Sequence, residues 1–291
     1  MRSLAAVVLA AGKGTRMGGD IPKVCHELDG KPLIAHVLEA IAPLQPERII
    51  LVVGYRAEAV AGAVRAFSNL PIEFVQQEEQ RGTGHAVSVA EGLLKDFAGD
   101  VLIRYGDTPL VRTETLARLC AAHRSARGSG TLLTTHLDNP TGYGRIIRDE
   151  TGRVVRIEEE KSATDEERRI REINAGAYCY RAHALFAALK KLRPNSANGE
   201  FYLTDAVRIL TARGRQIVAL PAALPQEVLG VNTPEQLQAV SSIRNALLSE
   251  VAKTSDVHHH IPNPKFEYRN PKQIRNLNVQ NSETRRRVLN I

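Results

Sequence analysis

Along the first hundred residues, short unbroken apolar runs alternate with apolar positions at helical spacing. The unbroken runs, bounded by turn residues, predict buried strands at 4–11, 49–54, 72–75 and 101–105. Between them, apolar residues three to four positions apart predict helices at 32–43, 57–67 and 85–94. Continuously apolar strands alternating with helices are typical of a parallel sheet covered on both faces. We therefore predict an α/β fold, doubly wound and mostly parallel, whose first half is a Rossmann-like nucleotide-binding unit.

The second half has a less regular pattern. It predicts strands at 131–137, 176–181 and 216–220, and a hairpin whose strands at 143–147 and 154–157 flank a turn at 149–152. Helices are predicted at 164–170, 182–192, 203–212 and about 234–252. From about residue 254 the sequence is rich in His, Pro and Asn, which is typical of an extension with little core. We therefore predict one domain over 1–253, with halves at about 1–110 and about 111–253, and an extension at 254–291.

Composition narrows the class of protein. The 43% hydrophobic content of the 291 residues is enough for a packed core. No apolar run reaches the roughly 18 residues that a membrane span needs, so we expect no membrane partner. The apolar run after Arg2 could begin a signal peptide, but it ends in Gly-Lys-Gly-Thr-Arg and is better interpreted as a first strand. Three widely spaced cysteines favour a reducing compartment, and we predict a cytoplasmic protein.

The basic charge belongs mainly to the C-terminal extension. Residues 251–291 contain eight Lys/Arg and three Asp/Glu, so they carry +5 of the net charge of +7. Arg285, Arg286 and Arg287 could contact a phosphate backbone, but Phe266 and Tyr268 are the extension's only aromatics and provide little base stacking. We therefore expect no nucleic-acid partner. The extension could instead form contacts within a homo-oligomer, and this alternative stays open. The run of three His at 258–260 favours a surface segment over a metal site.

The strongest chemical signal follows the first predicted strand. The segment runs Leu9-Ala10-Ala11-Gly12-Lys13-Gly14-Thr15-Arg16-Met17, with Pro22-Lys23 after it. Two glycines after a buried strand let backbone N–H groups approach a polyphosphate, and Arg16 and Lys23 add matching charge. The spacing is neither the Gly-x-Gly-x-x-Gly dinucleotide motif nor a P-loop. We predict a triphosphate loop in which Arg16 and Lys23 are catalytic and the nucleotide contacts Leu9, Ala11, Gly12, Gly14 and Thr15.

Two further segments carry candidate chemistry. Gln76 precedes a second glycine-containing turn, Gly82-Thr83-Gly84, and a Gln amide offers the donor and acceptor needed to read a base edge. Asp107 follows the fourth strand, at the carboxyl edge where open α/β sheets bind ligands. Its carboxylate is a hard oxygen ligand suited to Mg²⁺. We favour metal binding over simple turn capping at this position.

On these motifs the sequence resembles the sugar-1-phosphate nucleotidyltransferases. It is especially similar, over about residues 4–250, to the uridylyltransferase domain of bacterial N-acetylglucosamine-1-phosphate uridyltransferases, whose loop pattern is matched at residues 9–23. The resemblance implies an enzyme that joins UTP to a sugar 1-phosphate with Mg²⁺ held by Asp107 and Asn232. It also implies uracil contacts from Gln76, Gly82 and Thr83. A sugar-binding set is implied in the family's order, comprising Tyr105, Gly144, Glu159, Asn174, Tyr202 and Thr204.

The sequence departs from that family at several points. Ala175 and Phe201 stand where Thr or Ser, and Tyr, are frequent, so each lacks a hydroxyl. Ser162 stands where Asp is frequent and carries a hydroxyl in place of the carboxylate. Bifunctional members continue into hexapeptide repeats that perform acetyl transfer, and residues 251–291 show no such period. We therefore expect uridylyl transfer to N-acetylglucosamine 1-phosphate without acetyl transfer.

Two alternatives stay open at this point. One is the same chemistry with another nucleotide or sugar, such as thymidine triphosphate with glucose 1-phosphate. The other is a non-catalytic nucleotide-sugar sensor or an RNA-binding protein that uses the basic extension.

Overall fold

The computed structural model describes residues 2–196 and 198–258, and within this part of the chain it contains eleven strands. Their bounds are β1 (Leu4–Ala10), β2 (Glu27–Leu28), β3 (Lys31–Pro32), β4 (Arg48–Val53), β5 (Ile72–Gln76), β6 (Asp100–Tyr105), β7 (Gly130–His136), β8 (Arg145–Arg148), β9 (Val154–Glu158), β10 (Glu172–Arg181) and β11 (Ile217–Pro221). The strands predicted from apolar runs are thus present, with ends shifted by a residue or two in most cases. The one large shift is in β10, which begins four residues before its predicted start.

The described residues also form eight α-helices. They are α1 (Leu33–Ile41), α2 (Ala57–Phe67), α3 (Thr83–Val89), α4 (Thr113–Ala126), α5 (Asp165–Arg168), α6 (Ala182–Leu189), α7 (Asp205–Thr211) and α8 (Pro234–His258). Helix α4 was not predicted, because its buried stripe mixes Leu with Thr115, Cys120 and His123 and lacks a clear apolar period. Helix α3 begins at Thr83 rather than at residue 85, and ends at Val89 before a separate 3₁₀ turn over Glu91–Leu94.

The main sheet has the order β11-β7-β10-β6-β1-β4-β5. Strands β6, β1, β4 and β5 run parallel, as do β7 and β11, whereas β10 is antiparallel to both β6 and β7. The hairpin β8–β9 branches from β10, and β2–β3 form a separate two-stranded ribbon. The α/β fold with a mostly parallel sheet is confirmed, and the antiparallel β10 is inserted between its two parallel parts.

Both faces of the central strand β1 are buried. Ala5 and Val7 pack in one apolar cluster, whereas Leu4, Ala6 and Val8 pack in another on the opposite face. This arrangement explains the continuous apolar run, since a strand covered by helices on both sides has no solvent face. In register, Leu9 lies beside Tyr105 and Ala10 beside Val53, so the loops after β1, β4 and β6 leave the sheet at one edge.

By its internal contacts the chain divides into two units, residues 1–245 and residues 246–291. The first unit contains the whole sheet. Helix α8 was expected to end near 252 and continues to His258, whereas most of the predicted extension, including two of the three clustered His, lies outside the described residues. The predicted domain boundaries stay a prediction, as does the oligomeric state. Among the helices described here, none combines the length and apolar character that crossing a membrane requires.

Candidate functional site

A cavity of about 450 Å³ lies at the carboxyl edge of the parallel strands. It is lined from both halves of the chain, by the loops after β1 and β6, by α3's first turn, and by the ends of β9 and β10. Most of the residues predicted from the sequence line it, namely Leu9, Ala11, Gly12, Arg16, Lys23, Gly82, Thr83, Tyr105, Asp107, Gly144, Glu159, Asn174, Tyr202 and Asn232. Four others do not line the cavity: Gly14, Thr15, Gln76 and Thr204.

The two glycines of the first loop differ in what surrounds them. Gly14 has a φ of 69°, and a Cβ placed on it would lie 2.5 Å from the Cβ of Lys23. Gly12 has no atom within 4 Å of the corresponding position. Thr15 is exposed and begins a 3₁₀ turn that buries Met17. Gly14 is therefore needed so that the loop can turn closely against Lys23, while Gly12 leaves open space at the cavity wall.

Lys23 brings together two residues that lie far apart in the sequence. Its Nζ forms an ion pair with Oδ2 of Asp107 and donates a hydrogen bond to Oδ1 of Asn232 at 3.0 Å. The backbone N–H of Val231 donates to the carbonyl oxygen of Asp107 at 2.9 Å, which joins the two loops directly. Oδ1 of Asp107 is buried without a hydrogen-bond partner among the described residues. Oδ2 of Asp107 and Oδ1 of Asn232 thus both contact the Lys23 ammonium, and Oδ1 of Asp107 can still accept a hydrogen bond or bind a cation.

Two buried charged residues beneath this point were not predicted from the sequence. Arg104 is fully buried in β6 and donates from Nη2 to the carbonyl oxygen of Thr108 at 2.9 Å. Burial lowers the pKa of Arg104 to about 10, although the nearby charges of Asp107 and Glu227 raise it. Glu227 is also fully buried and accepts a hydrogen bond from the Thr115 hydroxyl at 2.6 Å. These groups hold the segments that carry Asp107 and Asn232. The only feature of the sequence that could have indicated them is one Arg inside an otherwise apolar strand.

The glutamines that line the cavity are Gln77 and Gln80, and the predicted Gln76 does not line it. Gln77 is buried, and its Nε2 lies 3.1 Å from the carbonyl oxygen of Gly82 and 2.9 Å from Nδ1 of His85. Gln76 is exposed, and its amide donates to Glu78 at 3.4 Å. Successive residues of an extended chain point to opposite sides, so two adjacent glutamines cannot share one role. The sequence alone does not show which of them faces inward.

The glycines of the second loop approach another part of the protein closely. A Cβ on Gly82 would lie 2.6 Å from the carbonyl oxygen of Phe201, and one on Gly84 would lie 3.0 Å from the same atom. Gly84 N–H donates to Phe201 at 2.7 Å, and the Thr83 hydroxyl accepts from Leu203 N–H at 3.0 Å. The loop is therefore hydrogen-bonded to the segment that leads into α7. Glycine is required here for contact within the protein, a role that the sequence pattern did not reveal.

On the side of the cavity formed by the second half, polar side chains are held by hydrogen bonds. Glu159 is half-buried and accepts a hydrogen bond from the Thr204 hydroxyl at 2.7 Å, so Thr204 supports Glu159 from outside the cavity wall. Burial raises the pKa of Glu159, and that hydrogen bond partly opposes the shift. The Tyr202 hydroxyl accepts from Asn198 at 2.7 Å. The carbonyl oxygen of Gly144 accepts from the backbone N–H of Asn174 at 2.8 Å, which places these two predicted residues side by side.

Several proteins have similar sequences. The bifunctional protein GlmU of Pelotomaculum thermopropionicum is 45% identical over 252 residues, which cover 86% of this chain and 54% of that protein. The same-named protein of Geobacter metallireducens is 48% identical over 237 residues, covering 81% and 49%. That of Enterococcus faecalis is 42% identical over 251 residues, covering 86% and 54%. The chain therefore spans about half the length of these relatives.

Solved structures with the same fold include a UDP-glucose pyrophosphorylase complexed with UDP-glucose. It superposes with a TM-score of 0.69 at 19% sequence identity, over 84% of this chain and 99% of that one. An apo UDP-glucose pyrophosphorylase gives a TM-score of 0.66 at 17% identity. At these identities the likeness establishes the shared fold.

A family model described as the MobA-like NTP transferase domain matches residues 6–202. The match begins in β1 and ends beside Thr204, so it includes the first loop, Asp107 and most of the cavity lining. The predicted resemblance to the sugar-1-phosphate nucleotidyltransferases is confirmed by this match and by the relatives. The chain is a nucleotidyltransferase and belongs to the MobA-like NTP transferase domain family.

Proposed function

We propose that this enzyme transfers a uridylyl group from UTP to N-acetylglucosamine 1-phosphate, giving UDP-N-acetylglucosamine and pyrophosphate. One observation carries the proposal: the same cavity is lined by the basic first loop and by hydrogen-bonding groups from the second half of the chain, Glu159 and Asn174 among them. The basic side suits a triphosphate, and the buried side suits a sugar. The resemblance to bacterial uridyltransferases supports this choice of nucleotide and sugar.

The triphosphate is assigned to the loop after β1. Arg16 and Lys23 line the cavity there, and their charges match phosphate oxygens. The sugar phosphate is already an anionic nucleophile, so it attacks the α-phosphorus without a general base and pyrophosphate leaves. Catalysis then consists of holding both substrates in line and neutralising charge on the phosphoryl oxygens.

Asp107 and Asn232 are proposed to hold Mg²⁺. They supply hard oxygen donors on either side of the Lys23 ammonium, which would have to move aside for the ion, and the buried Oδ1 of Asp107 has no partner among the described residues, so the donor types fit Mg²⁺. Bound there, Mg²⁺ supplies positive charge to the phosphate oxygens of the substrates. The described residues contain no group of three or more His, Cys, Asp or Glu that could enclose a metal alone. Mg²⁺ usually keeps several waters and is bound by one or two protein oxygens together with substrate phosphates, so two protein donors are enough for this ion.

The base and the sugar are assigned to different sets of lining residues. Gln77, with Gly82 and Thr83, is proposed to read uracil, since of the two glutamines that line the cavity it is the buried one. Glu159 and Asn174 are proposed to bind the sugar, together with Tyr105, Gly144 and Tyr202. Thr204 acts on the sugar through Glu159, which accepts its hydroxyl hydrogen.

Pyrophosphate release tests the proposal. Release should require both UTP and N-acetylglucosamine 1-phosphate, and should stop when either is omitted. Thymidine triphosphate replacing UTP, and glucose 1-phosphate replacing the amino sugar, test the alternative substrates one at a time. Faster release with either replacement would reassign the substrate, and release without any sugar phosphate would contradict uridylyl transfer.

A further inference from the structure

A fully buried tyrosine lies behind the sugar side of the cavity. The Tyr178 side chain does not line the cavity, but its hydroxyl accepts a hydrogen bond from Nδ2 of Asn174 at 2.6 Å. The same hydroxyl lies 3.2 Å from the hydroxyl of Tyr105. Asn174 and Tyr105 both line the cavity, from β10 and β6 respectively. One hidden hydroxyl therefore joins two groups that face the substrate.

An irregularity in β10 makes this contact possible. Asn174 pairs with Thr134 of β7, but Tyr178 pairs with Leu132, so four residues of β10 advance against two of its neighbour. In a regular strand the Cα atoms of residues four apart are separated by about 13 Å. Gly176 lies within the bulge with a φ of 67°, and a Cβ there would lie 2.7 Å from the Tyr105 ring. The bulge thus shortens the strand and brings the Tyr178 hydroxyl within reach of Asn174.

The hydrogen bonds of the Tyr178 hydroxyl have directions that would hold the Asn174 side chain in one orientation. Burial raises the pKa of Tyr178 well above its ordinary value, so the hydroxyl keeps its proton. Because the oxygen accepts from Asn174, the proton is available to Tyr105. With its Nδ2 engaged by Tyr178, the Asn174 amide is held in one plane and cannot rotate freely towards solvent. Leaving either partner unpaired in this buried setting is unfavourable.

We propose that Tyr178 is a positioning residue for sugar binding, acting mainly through Asn174. The inference rests on the proposed function, since it assigns Asn174 to the sugar side of the cavity. It adds a group that touches no substrate yet determines how tightly the sugar 1-phosphate is held. Asn174 is the main route because its bond to Tyr178 is shorter than the Tyr105 contact, at 2.6 Å against 3.2 Å.

The chain contains a matched control on the same strand. Tyr180 is equally buried, and its ring stacks on Tyr178 with centroids 6.0 Å apart and planes at 21°. Its hydroxyl has no hydrogen-bond partner within the described part of the chain. Tyr180→Phe and Tyr178→Phe therefore remove the same atom from neighbouring buried rings, but only the second removes a partner of Asn174.

Steady-state kinetics separate the two variants. Y178F should raise KM for N-acetylglucosamine 1-phosphate about tenfold, the effect expected for one lost buried hydrogen bond. KM for UTP should stay within about twofold, since the nucleotide loop keeps its contacts. Y180F should leave both constants unchanged, and thermal unfolding should show that both variants fold. An unchanged sugar KM in Y178F, an equal change in Y180F, or a Y178F that fails to fold would each overturn the positioning role.

A double-mutant cycle with Asn174→Ala tests the proposed route. If Tyr178 acts through Asn174, Y178F should have little further effect on sugar KM in the N174A background. Fully additive effects would overturn the inference even if Y178F alone weakens sugar binding. Wild-type enzyme that releases no pyrophosphate would instead contradict the proposed function. In that case, titration of each variant with N-acetylglucosamine 1-phosphate alone still tests Tyr178.

Discussion

The two ends of the cavity are built from different kinds of group. At the triphosphate end, Lys23 and Asp107 form an ion pair whose side chains keep 17% and 15% of their surface exposed, and Arg16 lies in the open. At the proposed sugar end, Asn174 is buried, Glu159 is half-buried, and their hydrogen-bond partners lie behind the cavity wall. The first end thus carries charged groups that suit an anion, and the second carries polar groups held by hydrogen bonds. We infer that the first end determines rate and the second determines which sugar binds.

The largest expected effect is at the triphosphate end. Lys23→Ala and Asp107→Ala should each lower turnover by about 1,000-fold, since each removes charge complementary to the reacting phosphates. The measurement is pyrophosphate release under saturating substrates. Lys31→Ala is the control, because Lys31 pairs with Glu39 on the surface outside the cavity. Near-normal turnover in K23A or D107A would remove the assigned role from that residue.

A backbone change should reproduce part of this loss. Gly14→Ala forces a side chain into a left-handed conformation and against Lys23, so we expect kcat/KM to fall about 100-fold through displacement of the Lys23 ammonium. Gly62→Ala in helix α2 is the matched control, because a Cβ there meets no atom within 4 Å. G62A should keep full activity and gain slightly in stability. Equal activity of G14A and G62A would show that Lys23 does not depend on Gly14.

The base-reading assignment is tested by two adjacent glutamines. Gln77→Ala should raise KM for UTP about tenfold, since it removes a buried amide from the cavity wall. Gln76→Ala should have a much smaller effect, because that side chain is exposed. Initial rates across UTP concentrations decide between them. A larger effect from Q76A would return the role to the residue first predicted.

The smallest expected effect is on stability at the sugar end. The raised pKa of Glu159 means that the folded protein holds this proton more tightly than the unfolded chain. The associated stabilisation is full below the ordinary carboxyl pKa and is lost as pH rises through the folded pKa. Glu159→Gln stays neutral and can still accept from Thr204. Its free energy of unfolding should therefore exceed that of the wild type at about pH 8, with the difference shrinking towards about pH 4.

Urea unfolding at several pH values measures this difference. Glu166→Gln is the control, since Glu166 is exposed and its replacement should not change the pH dependence. An E159Q curve parallel to that of the wild type would mean that the Glu159 charge is not penalised by burial. E159Q should also weaken sugar binding. The same substitution would then raise stability and lower substrate affinity, which distinguishes the two roles of Glu159.

The two ends also differ in how much the sequence reveals. The proposed triphosphate loop is one contiguous segment after an apolar strand, so its glycines and basic residues can be recognised directly in the sequence. The proposed sugar end depends on the register between neighbouring strands, which the spacing of residues in the sequence does not reveal. β10 was predicted to begin after Asn174, because a bulge at Gly176 breaks the regular pattern. Tyr178 carried no signal at all, since its role comes from a contact that the bulge creates.

Contacts between residues far apart in the sequence were equally difficult to predict. Asp107 was proposed as a ligand from its place after a strand, whereas its pairing with Asn232 was implied only by the family resemblance, and the contact of both with Lys23 is seen only in the fold. Helix α4 escaped prediction because Thr, Cys and His occupy its buried face. The sequence thus predicted most of the residues that line the cavity, whereas it did not predict contacts that depend on strand register and on distant packing.

One competition experiment tests the central claim most directly. Wild-type enzyme is given UTP, Mg²⁺ and equal amounts of N-acetylglucosamine 1-phosphate and glucose 1-phosphate, and the two UDP-sugars are separated by mass. The proposed function predicts that UDP-N-acetylglucosamine predominates, with one pyrophosphate released for each nucleotide sugar formed. A mixture dominated by UDP-glucose, or one without any nucleotide sugar, would contradict it.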